Sequence, residues 1–180
     1  MRIVGGRWRG RTIQAPPGMS VRPTGDRVRQ AWMNILQNDL PGARALDLFS
    51  GSGALGLEAL SRGARSVDFV ESSTPSLEVL RGNVERLAAG QAAHIHRVDA
   101  LDFINNLEPG AYDIAFADPP YHMDLAGRVV ERWLASHFAD VLSVEHSRTE
   151  LLPAGGDGRR YGDTSVTFYR VDGARRATNG

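Results

Sequence analysis

The sequence predicts an α/β domain: a mostly parallel seven-stranded sheet with an antiparallel C-terminal hairpin, preceded by an N-terminal β-hairpin and helix. Three observations predict it. From residue 43 onward, short apolar runs of strand length alternate with stretches of helical periodicity, the pattern of a parallel sheet covered on both faces. The first run, "ARALDLF", passes directly into the glycine-rich turn "SGSGALG". The fourth run, "YDIAFA", is stopped by "DPPY"; its two prolines can neither continue a ladder nor enter a helix.

The N-terminal "RIVGGRWRGRTIQA" places β-branched residues around Arg-Gly pairs and reads as a hairpin. A loop rich in proline and glycine, "APPGMSVRPTG", leads to a helix with Thr24 as N-cap and Val28, Trp32, Ile35 and Leu36 on one face. "ALGLEALSRG" is a short helix closed by Gly63, and "SVDFVE" the second strand. "TPSLEVLRGNVERLAAG" is a helix with Thr74 at N-cap and Pro75 at N1. "HIHRVDA" is the third strand, "LDFINNL" a short helix, "LAGRVVERWLASHF" a longer one and "VLSVEH" the fifth strand. "RRYGDTSVTFYRV" alternates as an antiparallel hairpin turning at Gly162-Asp163. Residues 1–40 are expected to form an N-terminal unit of hairpin, basic loop and helix, 41–172 the α/β domain, and 173–180 a disordered tail.

Composition narrows the function. There is no cysteine, which removes disulfides, thiolate metal sites and a cysteine nucleophile. No apolar run approaches the ~20 residues that span a bilayer, and the N-terminus lacks a signal-peptide core; a cytoplasmic monomer without a membrane partner is expected. All 21 basic residues are arginine, and the net charge of zero hides an asymmetry. Residues 1–30 carry seven arginines against one acid, whereas residues 31–156 carry nine arginines against 17 acids. A basic arm on an acidic body suggests a polyanion as partner. Arg7, Arg9, Arg11, Arg22, Arg27 and Arg29 are the candidate contacts, with Trp8 among them either stacking on a base or packing the hairpin. His94 and His96 lie two apart on a strand with no third ligand in sight, so no metal site is expected.

Gly51, Gly53 and Gly56 satisfy G-x-G-x-x-G, and Glu71 ends the next strand 20 residues on. That pattern fits a nicotinamide dinucleotide: glycines admit the backbone to the ligand and the acid binds ribose hydroxyls. Asp47, four residues before Gly51, argues for S-adenosylmethionine instead, because a carboxylate opposes a pyrophosphate but suits an ammonium and a sulfonium. Asp99, after the third strand, can accept from the adenine amino group or cap the helix "LDFINNL".

"DPPY" suits methyl transfer to an exocyclic amino group of a base. Such a nitrogen is a poor nucleophile and needs acceptors for its protons. Asp118 supplies one and the Pro119 carbonyl a second, Pro120 stiffens the turn, and Tyr121 offers a face for a flipped-out base. A nicotinamide enzyme would leave this loop unexplained.

The order "DLFSGSG", "VE", "VDA", "DPPY" resembles class I S-adenosylmethionine-dependent methyltransferases, Rossmann-like enzymes of the amino-methylating kind. With "IVGGRWRGR", "RPTGDRVRQAWMNIL" and "LDLFSGSGALGLEALSRGA" the chain is similar to the RsmD family from about residue 2 to Arg170. The resemblance implies methylation of N2 of one guanine in small-subunit (16S) ribosomal RNA, free or in an assembled 30S particle. It maps Asp47, Ser50, Gly51, Gly53, Glu71, Asp99 and Ala100 to the cofactor site, and Asp118, Pro119, Pro120 and Tyr121 to the catalytic loop. Trp32 and Met33 stand where leucine and phenylalanine are usual, which reads as a packing change. A DNA amino-methyltransferase acting on adenine N6 or cytosine N4 is the alternative, since D-P-P-Y serves those groups equally well.

Overall fold

The computed structural model describes residues 1–16, 23–121 and 123–173. Arg22, His122, most of the proline-rich loop and residues 174–180 of the expected tail lie outside the described residues.

The elements run α1 (Pro23–Ile35), β1 (Arg44–Leu48), α2 (Ala54–Ser61), β2 (Ser66–Val70), α3 (Thr74–Arg86), β3 (Ala93–His96), α4 (Ala100–Asn105), β4 (Tyr112–Ala117), α5 (Leu125–Ser136), β5 (Ala139–Ser147), β6 (Asp157–Tyr161) and β7 (Thr164–Arg170). They form one seven-stranded sheet of order β3-β2-β1-β4-β5-β7-β6. Strands β1 to β5 are parallel and β7 runs antiparallel to both its neighbours, as the alternation and the C-terminal Gly-Asp turn predict. The chain reverses direction across the sheet between β1 and β4, and open α/β sheets bind ligands at such a switch point, beyond the carboxyl ends of the strands. Asp47 pairs with Phe116 and Leu48 with Ala117, so the register sets Asp118 just past the end of β1.

Both faces of the sheet are covered. One buried cluster joins α1, α2 and the N-terminal segment to β1, β2 and β4; a second lies under α4 and α5. Trp32 and Trp133 are buried in them, as their helical spacing predicts. Trp32 tolerates full burial because its indole N–H donates to Ser143 Oγ at 2.8 Å, while its ring meets Phe116 edge-on at 6.3 Å. The boundary expected near residue 40 marks no break in the core, since Ile3, Trp8, Ile13 and Trp32 share a cluster with Phe69 and Phe116.

Three local expectations change. The N-terminal hairpin is reduced to a single antiparallel bridge, Arg2 with Thr12, around a 3-10 turn at Gly6–Trp8. Ile3 and Ile13 N–H still donate across it to the Arg11 and Met1 carbonyls, both at 3.0 Å, but other backbone donors turn outward: Val4 N–H to Glu58 Oε2 at 2.9 Å, Trp8 N–H to Ser61 Oγ at 2.9 Å and Gln14 N–H to Asn83 Oδ1 at 2.8 Å. The segment is strapped to α2 and α3 as well as to itself. Helix α1 opens at Pro23, so Thr24 lies inside it, and the N-cap of α3 is Ser73 rather than Thr74. Among the described residues no helix is long and apolar enough to cross a membrane.

Candidate active site

The carboxyl end of β1 turns sharply into α2. Phe49 (φ 57°), Gly51 (φ 53°) and Gly53 (φ 79°) all adopt left-handed backbone. Ser50 Oγ ties the turn down by donating to the carbonyls of Asp47 (2.6 Å) and Val70 (3.1 Å). Glu71, at the end of β2, accepts from Gly51 N–H at 2.8 Å and from Ser73 N–H at 2.7 Å. Each carboxylate oxygen keeps a lone pair for a further donor, so this role is compatible with ribose binding.

The glycines divide by what surrounds them. A Cβ on Gly51 would meet nothing nearer than the Phe49 carbonyl at 4.0 Å, whereas one on Gly53 would lie 2.4 Å from Leu80 Cδ1 and one on Gly56 2.4 Å from Phe69 Cε1. Gly51 therefore borders open room. Gly53 and Gly56 let α2 pack on β2 and α3, a structural duty the sequence reading assigned to the ligand in the case of Gly53.

Asp47 is 1% exposed; its Oδ2 accepts from Gly56 N–H at 2.9 Å, and it joins no ion pair among the described residues. Burial, with Glu71's charge adding, pushes its carboxyl up to about 8, although the Gly56 bond opposes the shift. A buried acid without a counter-ion fits a cationic ligand and would repel a pyrophosphate. With open space before Gly51, this end of the site fits S-adenosylmethionine and argues against a dinucleotide. Asp99 caps α4, its Oδ1 accepting from Leu101 N–H at 2.8 Å and Asp102 N–H at 3.1 Å; an adenine contact there would be additional. Ala100 is buried directly behind it.

Across the switch point, β4 ends at Ala117 and Asp118 follows. Asp118, Asp47 and Glu145 of β5 line one cleft of about 230 Å³ together with the glycine turn and α1. The Asp118 carboxyl is held well above the usual carboxylate range by desolvation, then by the charges of Glu145 and Asp47. Asp118 is nonetheless an exposed residue, so water at the mouth of the cleft moderates that shift. Pro119 is buried and Pro120 exposed. Tyr121 is 37% exposed; its hydroxyl donates to Glu145 Oε1 at 2.8 Å and lies 2.7 Å from Thr164 Oγ1. The ring is thus fixed by β5 and β7 at the edge of the catalytic loop. The sequence reading missed Glu145; the available signal was a lone acid inside the apolar strand "VLSVEH".

The arginines assigned to RNA separate. Arg7, Arg9, Arg11 and Arg27 are exposed. Arg7 stacks on Trp8, 4.1 Å from the ring centroid; Trp8 itself is buried, which settles its role as packing. Arg11 donates to the Arg86 carbonyl at 2.5 Å. Ser61 and Arg86 close α2 and α3 at the edge of the sheet opposite Asp118, so Arg7 to Arg11 stand at the far end of these helices. Arg29 does not belong to this group. It is buried at the wall of the cleft, 3.1 Å from Asp26, with Nη2 donating to the Arg2 carbonyl at 2.6 Å, because Asp26 and Glu58 supply the counter-charges a sequence block cannot show.

The chain is 31% identical to a ribosomal RNA small subunit methyltransferase D from Haemophilus influenzae, over 95% of this chain and 92% of that protein. A solved structure of a hypothetical protein from Thermus thermophilus superposes with a TM-score of 0.81 at 34% identity, covering 95% of this chain and 99% of that one. At 21% identity and a TM-score of 0.64, with 86% and 44% of the chains covered, the T. thermophilus 16S rRNA N2 G1207 methyltransferase RsmC, in complex with AdoMet and guanosine, shares the fold alone. The family model described as conserved hypothetical protein 95 matches residues 1–170, and with the glycine turn, Glu71 and D-P-P-Y meeting at one switch point, the chain belongs to that family, the RsmD family of class I methyltransferases.

Proposed function

We propose that this protein methylates the exocyclic N2 amino group of one guanine in small-subunit ribosomal RNA. The observation that carries the reading is Asp118 facing the glycine turn across the switch point, in a cleft rich in carboxylates. When bound, S-adenosylmethionine supplies an electrophilic methyl group on a sulfonium.

The residues of the chain do the rest. Asp47 offers a buried carboxyl whose ionisation a neighbouring ammonium favours, Gly51 leaves room for the ligand, and Glu71 and Asp99 stand where adenosine hydroxyls and the adenine amino group can donate. Asp118 accepts a hydrogen bond from the guanine amino group, concentrating its lone pair towards the methyl carbon, and the Pro119 carbonyl offers a second acceptor. The raised proton affinity of Asp118 suits a base that takes up the proton released on transfer. Pro120 keeps both acceptors in place, and Tyr121 provides a fixed face against which the base stacks. Arg7, Arg9, Arg11 and Arg27 hold phosphates, Arg7 to Arg11 at a distance from the chemistry. We place the protein in the cytoplasm as a monomer acting on the assembled 30S particle.

The test incubates the protein with labelled methyl donor and small-subunit particles lacking the modification, alongside naked 16S RNA and duplex DNA. The expected result is label on N2 of a single guanine in the particle. Label on adenine N6 or cytosine N4 of DNA would overturn the reading in favour of a DNA amino-methyltransferase.

A further inference from the structure

Arg29 projects from α1 at the wall of the cleft that Asp47, Asp118 and Glu145 share. It is 7% exposed, so its five N–H donors must find partners inside the protein. Nη2 does, in the Arg2 carbonyl at 2.6 Å and Asp26 Oδ1 at 3.1 Å. Nη1 has the Met1 thioether at 3.5 Å, a weak acceptor. Nε lies 4.0 Å from Glu58 Oε2, beyond hydrogen-bonding reach. It is the one buried side-chain donor without a partner among the described residues. A clamp that only pinned the N-terminus would have no use for a buried donor left unmet and another held by a weak acceptor. Arg29 is also the only cationic side chain among the described residues lining a cleft otherwise rich in acids.

From this we infer that Arg29 anchors the carboxylate of the cofactor's methionine moiety, an assignment that rests on S-adenosylmethionine as the ligand. That ligand carries two cationic centres and one anionic one. The ammonium and sulfonium find Asp47 and the acids beyond it, which leaves the carboxylate to the one guanidinium in reach. A planar carboxylate matches the guanidinium fork, which a point-charge amine would not offer. The residue that sequence position grouped with the RNA arm thereby belongs to the cofactor.

Calorimetry with S-adenosylmethionine and its decarboxylated analogue tests the assignment, because the two differ only in the carboxylate. The wild-type protein should prefer the carboxylated form by about tenfold or more. In Arg29→Gln that preference should vanish, with decarboxylated S-adenosylmethionine bound within about twofold of wild type. Asp26→Asn removes a competitor for the guanidinium at a half-exposed position, so it should widen the preference and keeps the test alive should Arg29→Gln not fold. Equal losses for both ligands in Arg29→Gln, or a preference unchanged in Asp26→Asn, would overturn the inference. So would weakened RNA binding with cofactor affinity intact, which would assign Arg29 to a phosphate. A wild-type protein that binds neither ligand would instead refute the cofactor reading beneath it.

Discussion

Asp47 and Asp118 line the same cleft, yet the two halves of the site are held in different ways. Around Asp47 the hydrogen bonds of the acids and of Ser50 run to backbone: Gly56 N–H to Asp47, Gly51 and Ser73 N–H to Glu71, Ser50 Oγ to two carbonyls. Around Asp118 the contacts run between side chains, with Tyr121 spanning Glu145 and Thr164. A backbone-built half recognises a constant ligand and depends on conformation. A side-chain-built half concentrates negative charge and depends on individual groups. Substitutions should therefore damage the first through folding and binding, and the second through chemistry alone.

The largest effect expected is at Asp118. Asp118→Asn removes a base while keeping size and one acceptor, and should lower turnover by about 10²–10⁴-fold. Cofactor affinity should stay within a few fold, because the proposed mechanism sets Asp118 beside the transferred methyl group and not against the adenosine. Single-turnover rates beside calorimetric affinities check this; near-normal turnover would refute the catalytic role.

The backbone-built half breaks differently. Gly53→Ala adds a Cβ at φ 79° and 2.4 Å from Leu80, which should cost about 2–4 kcal/mol of stability. Gly51→Ala meets open space and should cost only its φ, about 1–2 kcal/mol, while intruding on the cofactor. Urea unfolding separates the pair, and a Gly53 variant as stable as the Gly51 variant would show that the core relaxes around the new methyl.

The contrast also explains what the sequence could reveal. The alternating runs, the glycine turn and D-P-P-Y are local, so β1 to β5, the C-terminal hairpin and the site's position at the strand ends were legible in order. Features that failed to show depend on partners far along the chain. Val4, Trp8 and Gln14 look like hairpin residues, but their N–H groups bond Glu58, Ser61 and Asn83, and no local pattern announces that. Arg29 looked like its basic neighbours until Glu58 and Asp26 came beside it. Glu145 gains meaning only when β5 pairs with β4 and brings it to Asp118.

A smaller effect should come from Glu145→Gln. Glutamine can still accept from the Tyr121 hydroxyl, so the ring should stay in place while the charge goes. Glu145's charge helps hold the Asp118 carboxyl above its usual range; without it that carboxyl becomes more acidic and is ionised at lower pH. The acid limb of the kcat profile should therefore move to lower pH, with little change in its plateau. An unmoved limb would mean that Glu145 serves Tyr121 alone.

The smallest effect belongs to the exposed arginines, and it tests how far from the cleft the substrate is held. Ser61, beside Trp8, lies one α2 length from Gly53, about 12 Å for eight residues, or three to four nucleotides at ~3.4 Å each. RNA entering the cleft beside the glycine turn would have to run at least that far down the flank to meet Arg7, Arg9 and Arg11. Each phosphate neutralised adds about 0.7–0.9 to the slope of log affinity against log salt. With Arg7, Arg9, Arg11 and Arg27 engaged, the slope for RNA should be near −3. Neutralising the first three should bring it to about −1, a difference of roughly fourfold in affinity for each doubling of salt. Cofactor affinity should be untouched, because Arg7, Arg9 and Arg11 stand at the far ends of α2 and α3, and none of them lines the cleft. If the strap instead carries its charge only to stay solvated, the triple variant will keep the wild-type slope, and RNA contact must be sought on α1 and around the mouth of the cleft.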